Sequence, residues 1–329
     1  MCNATVALEV LARACGLSGE VIVPGFTFIA TAHAFAWLGL KPVFCDVDPA
    51  THTLDAADVA GQISGATSAV VGVHLWGNTC DVSALQTAAK GKPLLFDSAH
   101  ALGCSRNGQS IGGFGNAEVF SFHATKFFNT FEGGAITTND AALAKELRLL
   151  RNFGFAGYDA VATLGTNAKL NEISAAMGLS SLDCINQTIE SNRQTFSHYH
   201  GVLDALEGVR FVQPAPNERS NFQYVVCEIG GDAPLNRDQL LTLLWAENVR
   251  ARRYFFPGCH RVPPYEHAQT RALPVTERLA AEVIVLPAGA AVTQADVQRI
   301  GGFIRFAFEH ADELRAQLPE YVPPGGFKA

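Results

Sequence analysis

Charged residues are scarce in this sequence, and basic residues do not outnumber acidic ones. Only 17% of the 329 residues are Asp, Glu, Lys or Arg, against roughly 25% in an average soluble domain. A chain with so few charges must bury much of its surface, either in a thick core or against another subunit. The 24 basic and 31 acidic residues give a net charge of −7, so bulk electrostatic binding to nucleic acid or to an anionic membrane is not expected.

Closely spaced cysteines are also absent. The eight cysteines stand at positions 2, 15, 45, 80, 104, 184, 227 and 259, and no two of them form a C-x-x-C pair. Structural metal sites and disulfide frameworks need close spacing, so we expect reduced thiols, no bound metal and a cytoplasmic protein. The first residues lack the basic segment and apolar run of a signal peptide.

Long uncharged runs are rare, and the main one is interrupted. Residues 21–40 carry no charge over a length that could span a membrane. Pro24 and Gly25 divide this stretch, and Thr27 and Thr31 place polar groups in it. The pattern favours a buried strand followed by a buried helix over a membrane span.

Short apolar runs alternate with amphipathic segments through the first half of the chain. Such alternation is typical of a parallel β-sheet covered by helices on both faces. Strands are predicted at residues 20–23, 42–47, 69–74, 93–97, 117–123 and 134–138, and helices at 6–14, 30–38, 56–63, 82–89 and 141–151. The sequence therefore predicts an α/β fold with a mostly parallel sheet sandwiched by helices.

The pattern changes after residue 171. One long helix is predicted there, followed by strands at 210–213 and 223–229, a helix at 237–247, a strand near 249–255 and two closing helices. We interpret this part as a smaller C-terminal α+β domain. The predicted boundary gives a large domain of residues 1–205 and a small domain of residues 206–329.

Residues 117–138 carry the clearest signal of chemistry. They read AEVFSFHATKFFNTFEGGAITT, in which a strand ends at Ser121, Lys126 follows among phenylalanines, and Gly133 and Gly134 permit a turn into the next strand. A lysine among aromatic rings is poorly solvated, which lowers its pKa and makes its amine nucleophilic. Taken alone, the segment leaves equally open a surface lysine whose stem covers apolar side chains.

Two further features suit the same chemistry. Asp97 stands at the carboxyl end of a predicted strand, where open α/β sheets bind ligands, although capping a turn is the more common role of such a residue. Asn3, Ala4 and Thr5 precede the first helix, and free N–H groups at a helix start suit phosphate, although most helices begin with such a cap. A phosphate site, a strand-end carboxylate and an activated lysine are together what pyridoxal 5′-phosphate (PLP) requires.

The sequence resembles the DegT/DnrJ/EryC1/StrS family of PLP-dependent sugar aminotransferases, which have fold type I. The matching stretches follow the family's order over nearly the whole chain: EVIVPGFTFIATAHA (20–34), PVFCDVDPATHTLD (42–55), HLWG (74–77), FDSAHALG (96–103), SFHATKFFNTFEGGAI (121–136), RNFG (151–154), LGTNAKLNEISAAMGLSSL (164–182) and VIVLPAG (283–289). The segment around Lys126, combined with FDSAHA, is highly specific. The resemblance implies an aminotransferase-like fold type I architecture.

The resemblance also implies roles for individual residues. Lys126 matches the Schiff-base lysine, which also shuttles a proton, and Asp97 matches the partner of the pyridinium nitrogen. The other matches bind the cofactor: Ala4, Thr5 and Ser121 at the phosphate, His100 near the 3′-oxygen, Phe28 on the pyridine ring, and Asn167 reaching the phosphate from the neighbouring subunit. The last match implies a homodimer with shared active sites. By itself, Phe28 is more simply interpreted as plain core.

The implied reaction is the transfer of an amino group from L-glutamate to the ketone of a nucleotide-linked keto-deoxysugar. The sequence around Lys126 is similar to that of family members acting on dTDP-linked keto-6-deoxyhexoses. Relatives that remove a hydroxyl group instead carry His in place of the lysine, so Lys126 favours transamination.

Two alternatives stay open. Relatives normally carry several tens of residues before the phosphate segment, whereas Met1 stands two residues ahead of Asn3, so we expect that the usual N-terminal segment is missing. A truncated, catalytically impaired homologue acting as a binding or oligomerisation partner is therefore one alternative. A fold type I lyase acting on an amino acid is the other.

Several polar residues are expected to be structural. Asp46 and Asp48, in a D-V-D-P sequence, are interpreted as caps and turn formers rather than metal ligands. His74 and His123 are expected to be hydrogen-bonded structural residues. Four basic residues are interpreted as a solvated face or, alternatively, as a site for the substrate's diphosphate: Arg252, Arg253, His260 and Arg261.

Overall fold

The computed structural model describes residues 1–267 and 271–318. Its helices are Ala4–Ala14 (α1), Ala30–Trp37 (α2), Ala56–Gln62 (α3), Val82–Ala88 (α4), Ala141–Leu150 (α5), Glu172–Leu182 (α6), Ile185–Leu203 (α7), Arg237–Ala246 (α8), Pro274–Glu282 (α9), Gln294–Glu309 (α10) and Ala311–Arg315 (α11). Its strands are Glu20–Pro24 (β1), Lys41–Cys45 (β2), Thr67–Val73 (β3), Leu94–Asp97 (β4), Ser105–Arg106 (β5), Gln109–Ser110 (β6), Ala117–Ser121 (β7), Gly134–Thr137 (β8), Phe155–Gly157 (β9), Ala160–Val161 (β10), Val209–Phe211 (β11), Glu218–Arg219 (β12), Val225–Ile229 (β13) and Val283–Leu286 (β14). Short 3-10 turns lie at Leu75–Gly77 and Cys259–Arg261.

The central sheet has the strand order β2-β1-β3-β4-β7-β8. The neighbours from β2 to β7 pair in parallel, and β8 pairs antiparallel to β7. Parallel strands place their carboxyl ends at one edge of a sheet, which is where open α/β folds bind ligands. Asp97 at the end of β4 and Ser121 at the end of β7 therefore lie at the same edge.

Helices cover both faces of this sheet. Side chains alternate along a strand, and Val21 and Val23 of β1 pack into the core that holds α1 and α2, whereas Ile22 packs with α3 and α4 on the other face. Phe96 of β4 joins Ile22 in that second core. The predicted α/β fold, with a mostly parallel sheet sandwiched by helices, is confirmed.

The uncharged stretch at residues 21–40 forms β1 and α2, the buried strand and helix that its pattern predicts. Thr31, in α2, is fully buried. Within residues 1–267 and 271–318, none of the helices has the length and apolar character needed to cross a membrane.

A smaller antiparallel sheet follows in the order β11-β13-β14. It packs with α7, α8 and α10 around a second hydrophobic core that includes Leu203, Val225, Leu244 and Ile304. The predicted pairing of the strands at 210–213 and 223–229 is confirmed. The domain boundary at residue 205 stays a prediction.

Three predictions about this part are wrong. The single long helix after residue 171 is two helices, α6 and α7. They are separated by Asp183 and Cys184, whose near-helical dihedral angles leave the apolar periodicity uninterrupted. The run 249–255 is not a strand: Arg252 makes one bridge to Val285, and its aromatic residues stack on Trp76 instead. Two closing helices are predicted, but the structure has three, α9, α10 and α11, with β14 between α9 and α10.

The two aspartates of the D-V-D-P sequence are structural, as predicted. Asp46 accepts hydrogen bonds from the backbone N–H groups of Val275 and Thr276 at the start of α9. Asp48 accepts from the N–H groups of Ala50 and Thr51 within a turn. The carboxylates therefore cap backbone donors, as their sequence context indicates.

Candidate active site

A cavity of about 450 Å³ opens where the carboxyl edge of the central sheet meets the smaller sheet. Every cofactor residue predicted from the sequence lines it except Asn167. Its lining includes Ala4, Thr5, Phe28, Asp97, His100, Ser121, Lys126, Tyr224, Arg252 and Tyr254. Residues separated by more than 200 positions along the chain are thus brought to one site.

The start of α1 forms one end of this cavity. Asn3 caps the helix by accepting a 2.8 Å hydrogen bond from the Val6 N–H, while the N–H groups of Ala4 and Thr5 belong to the first turn, where donors lack partners within the helix. A Cβ at Gly134 would lie 3.0 Å from Ala4 N and 2.8 Å from Phe120 O. Glycine therefore lets α1 begin directly against β8, opposite Ser121, which gives an anion site of backbone donors and one hydroxyl.

Asp97 is a buried carboxylate held by neutral donors. The Thr31 hydroxyl donates to Oδ2 over 2.8 Å, and the Ala99 N–H donates to Oδ1 over 3.0 Å. Burial raises the pKa of Asp97, and the hydrogen bonds from Thr31 and Ala99 and the charge of Lys126 oppose that rise. A cationic nitrogen in the cavity would complement this group, because it would offset the cost of burying the carboxylate.

Lys126 has an amine that is easy to deprotonate. Burial lowers its pKa to about 8, while the charge of Asp97 opposes that shift. The predicted direction of the shift is confirmed. Of the flanking phenylalanines, Phe128 packs on Phe122 and Phe131 is exposed. The aromatic ring beside the amine belongs to Tyr224, and the alternative of a surface lysine is wrong.

Tyr224 and Trp76 extend this site through His100. The Tyr224 hydroxyl lies 3.3 Å from Lys126 Nζ and 3.2 Å from His100 Nε2, and the backbone N–H of Trp76 donates to His100 Nδ1 over 3.3 Å. Burial lowers the pKa of His100 well below its ordinary value, so its ring is neutral. Sequence reasoning missed Tyr224 because it precedes β13, in a different sheet, and no local motif marks it.

The structure tests the plain-core interpretation of Phe28 but not the prediction for Asn167. Phe28 is 57% exposed and lines the cavity, so its interpretation as plain core is wrong. Asn167 is exposed and accepts a 2.7 Å hydrogen bond from Lys169 Nζ. Its role at the phosphate of a neighbouring subunit stays a prediction.

The basic residues predicted as one group separate in the structure. Arg253 pairs with Asp238, and Arg261 and His260 both contact Glu277. Arg252 alone of the four lines the cavity. The solvated-face interpretation therefore fits Arg261, and Arg252 is the member placed to meet a ligand.

Of the two histidines expected to be structural, His74 lies outside the cavity, whereas His123 is part of its lining. His74 is buried and accepts a 3.0 Å hydrogen bond from the Cys80 N–H, and His123 pairs with the Thr125 hydroxyl over 2.9 Å. Across the part of the chain that the structure describes, no three His, Cys, Asp or Glu residues are grouped in a way that could hold a metal ion.

Comparison with known proteins agrees with this geometry. The model of the DegT/DnrJ/EryC1/StrS aminotransferase family matches residues 1–305. The chain belongs to this family. Its members are PLP-dependent aminotransferases of fold type I, and this chain has that fold.

Individual relatives act on nucleotide sugars. The dTDP-4-amino-4,6-dideoxy-D-glucose transaminase of Shigella dysenteriae is 35% identical over 306 residues, 92% of this chain and 83% of that protein. The GDP-perosamine synthase of Caulobacter vibrioides is 35% identical over 306 residues, 91% of this chain and 82% of that protein. The crystal structure of DesI with its TDP-sugar product has a TM-score of 0.92 and 47% identity, and the match covers 96% of this chain and 81% of that one.

The donor set fits PLP. Lys126 supplies an amine whose pKa is lowered. Asp97 supplies a buried carboxylate that the charge of Lys126 stabilises. The start of α1 and Ser121 supply a cradle for a phosphate group. Phe28 presents an exposed ring to the same cavity. Each of these groups has a complementary part in the cofactor.

Proposed function

We propose that this chain binds PLP and transfers an amino group from L-glutamate to a nucleotide-linked keto-deoxysugar. The observation that carries the proposal is the convergence of Lys126, Asp97 and the start of α1 on one cavity. Amine, carboxylate and phosphate cradle come from distant segments, and few cofactors other than PLP would use all three.

Lys126 is the residue that we assign to the cofactor carbonyl and to proton transfer. With a pKa of about 8, about one amine in ten is neutral at pH 7, against about one in three thousand for an ordinary lysine. The neutral Nζ is able to accept a proton from the donor's Cα and to return one to the sugar carbon that gains nitrogen. An arginine at this position would stay charged and do neither.

The remaining groups hold the cofactor in place. Asp97 would pair with the ring nitrogen, and the first turn of α1 and Ser121 with the phosphate, while His100 would lie near the 3′-oxygen and Phe28 against the ring face. When bound, the cofactor supplies an electron sink for the carbanion that forms when a proton leaves Cα. Asp97 supports that chemistry by favouring a protonated, electron-withdrawing ring nitrogen.

The overall exchange balances without a further reactant. L-glutamate gives up its amino group, takes its keto oxygen from one water and leaves as 2-oxoglutarate. The ketone of the sugar becomes a primary amine and loses its oxygen as one water, so no net water is consumed or released. The sugar-nucleotide preference is proposed from the relatives, two of which act on dTDP- or TDP-linked sugars. Arg252, which lines the cavity, is a suitable partner for a substrate diphosphate.

A second copy of the chain is proposed to complete the site. The segment from the β9–β10 hairpin to α6 exposes large apolar side chains, among them Tyr158, Leu164 at 85% and Ile173 at 77%. Such a surface is unusual on a monomer, and Asn167 lies within the same segment. A homodimer that covers this face would account for the low charge content, and a change of Leu164 to Asp should then yield monomers in light scattering.

We place the enzyme in the cytoplasm. All eight cysteines are free, and five of them are buried, a usage typical of reducing compartments. Nucleotide sugars and L-glutamate are both soluble metabolites, so the proposed reaction needs no membrane surface.

Covalent trapping tests the cofactor assignment. Protein incubated with PLP and reduced with borohydride should carry the cofactor on the peptide that contains Lys126, as read by mass spectrometry. Addition of L-glutamate before borohydride should prevent trapping and release 2-oxoglutarate. Absence of trapping would support the impaired homologue, and trapping that L-glutamate does not prevent would support the amino-acid lyase.

A further inference from the structure

The phenol of Tyr224 stands between two groups of the proposed site. Its Oη lies 3.3 Å from Lys126 Nζ and 3.2 Å from His100 Nε2, although Tyr224 directly precedes β13 of the smaller sheet, whereas His100 and Lys126 follow β4 and β7 of the central sheet. Burial raises the pKa of Tyr224 above its ordinary value, so the group keeps its proton throughout the useful pH range. A neutral hydroxyl can both donate and accept a hydrogen bond.

The hydrogen-bond pattern around His100 fixes the roles. The backbone N–H of Trp76 donates to Nδ1 over 3.3 Å, so Nδ1 is an acceptor and the neutral ring carries its proton on Nε2. Nε2 must then donate to Tyr224 Oη. Trp76 adopts a φ of +62°, uncommon for a bulky residue, and its ring stacks on that of His100 at a centroid distance of 5.6 Å.

The hydrogen-bonding capacity of Tyr224 that His100 does not use is available to Lys126. With one lone pair occupied by His100, Tyr224 Oη keeps a second lone pair and its own proton for the amine. The lone pair accepts from Lys126 when the amine is charged, and the proton donates to Lys126 when the amine is neutral. A phenylalanine ring could keep the cation–π contact, at 5.9 Å from Nζ to the ring centroid, but neither hydrogen bond.

We propose that Tyr224 is a further catalytic residue, whose hydroxyl holds Lys126 Nζ in place in both of its protonation states. The proposal deepens the proposed function, in which the same nitrogen gains and loses a proton. His100 and Trp76 act through Tyr224 and are positioning residues: they direct its hydroxyl towards the amine.

Other charged or titratable groups also line the cavity around Lys126. Asp97 and His100 approach from the end of β4, His123 and Glu132 from the segment around Lys126, and Arg252 and Tyr254 from the smaller part of the chain. All of these are unchanged in a Tyr224→Phe variant, so a difference from wild type reports the hydroxyl alone.

Tyr224→Phe is tested by two measurements on the full chain. The first is kcat with the keto sugar and L-glutamate, which should fall on the order of 10- to 100-fold through loss of a hydrogen bond to a group that changes charge. The second is the pH dependence of Lys126 labelling by an amine reagent in cofactor-free protein, read by peptide mass spectrometry. Wild type should show a midpoint near 8, and Tyr224→Phe a midpoint lower by roughly half to one pH unit, because the ammonium loses its acceptor.

Tyr265→Phe is the matched control. It removes the same hydroxyl from a ring that packs against His33 and Phe44, outside the cavity, and should leave both quantities unchanged. Thermal unfolding of both variants checks that they fold. If either kcat or the labelling midpoint of Tyr224→Phe equals the wild-type value, the proposal is overturned. Failure of the proposed function shows instead in wild type, as absence of trapped PLP or of amino transfer.

Discussion

Thr31 donates a 2.8 Å hydrogen bond from its hydroxyl to Oδ2 of Asp97, and this bond joins α2 to the carboxyl end of β4. Both residues are buried. Because burial alone raises the pKa of Asp97 and the Thr31 hydroxyl lowers it, Thr31 helps to keep the carboxylate ionised.

Replacing Thr31 by Val should therefore impair the enzyme more at low pH than at high pH. The pKa of Asp97 rises further without the hydroxyl, so the acid limb of the plot of kcat/KM against pH moves to higher pH. On that limb, kcat/KM should fall roughly several-fold. Thr195→Val removes a buried hydroxyl that bonds Ser191 O within α7 and should not move the limb. An acid limb identical to wild type in Thr31→Val would show that Thr31 does not act on Asp97.

The lowered pKa of Lys126 predicts how fast cofactor-free protein captures PLP. Only the neutral amine attacks a carbonyl, so the rate should rise about tenfold per pH unit below pH 8 and level off above it, following a pKa of about 8. Stopped-flow absorbance measures this rate. A rate that continues to rise beyond pH 9 would mean that burial does not lower the pKa of Lys126.

The close packing around Gly134 can be tested with two matched glycine-to-alanine substitutions. An alanine Cβ at residue 134 would meet Phe120 O at 2.8 Å and Ala4 N at 3.0 Å, so it should push α1 from β8, weaken PLP binding and lower the free energy of unfolding by about 1–3 kcal/mol. Gly201, within α7, has nothing within 4 Å of such a Cβ. Gly201→Ala should raise that free energy by about 0.5–1 kcal/mol. Urea titrations measure both, and equal effects would contradict the close approach.

Glu228 should make the free energy of unfolding depend on pH. Burial would raise its pKa, but the hydrogen bonds from His52 and Arg278 outweigh burial and lower the pKa to about 2. A carboxylate whose pKa is lower in the folded state stabilises the fold above its unfolded pKa, and this contribution is lost as the pH falls towards 2. Glu228→Gln should therefore be less stable than wild type at pH 7, and the difference should shrink between pH 5 and pH 2.

The control for Glu228 is Glu190. The side-chain hydrogen bond from Arg193 also lowers the pKa of Glu190, but this ion pair lies on the exposed surface of α7, where solvent screens it and leaves it little effect on stability. Glu190→Gln should show almost no change in unfolding free energy at any pH. Equal responses of the two variants would contradict a role for burial at Glu228.

The sequence was most informative where local pattern and topology act together. Alternating apolar segments predicted the strands and helices of the central sheet, the strand-end position of Asp97 indicated a ligand-binding group, and the resemblance added Ser121 as a phosphate ligand. The motif around Lys126 added the amine. Local signals therefore sufficed for the large sheet and for the residues attached to it.

The sequence was least informative about residues that reach the site from elsewhere. Tyr224 lies 98 residues from Lys126 in the chain, and Arg252 lies within the run 249–255 that was predicted as a strand. Their placement depends on how the smaller sheet packs against the larger one, which no local pattern encodes. The break between α6 and α7 was missed for the opposite reason, since two residues with near-helical dihedrals leave the periodicity intact.

The most direct test of the central claim follows nitrogen from donor to sugar. Wild-type protein with PLP, L-[15N]glutamate and a dTDP-4-keto-6-deoxyhexose should yield a 15N-labelled amino sugar and an equal amount of 2-oxoglutarate, as read by mass spectrometry. Lys126→Ala, which removes the amine at the centre of the cavity, should yield neither. A wild-type protein that traps PLP on Lys126 and yet leaves every keto sugar tested unlabelled would contradict the account.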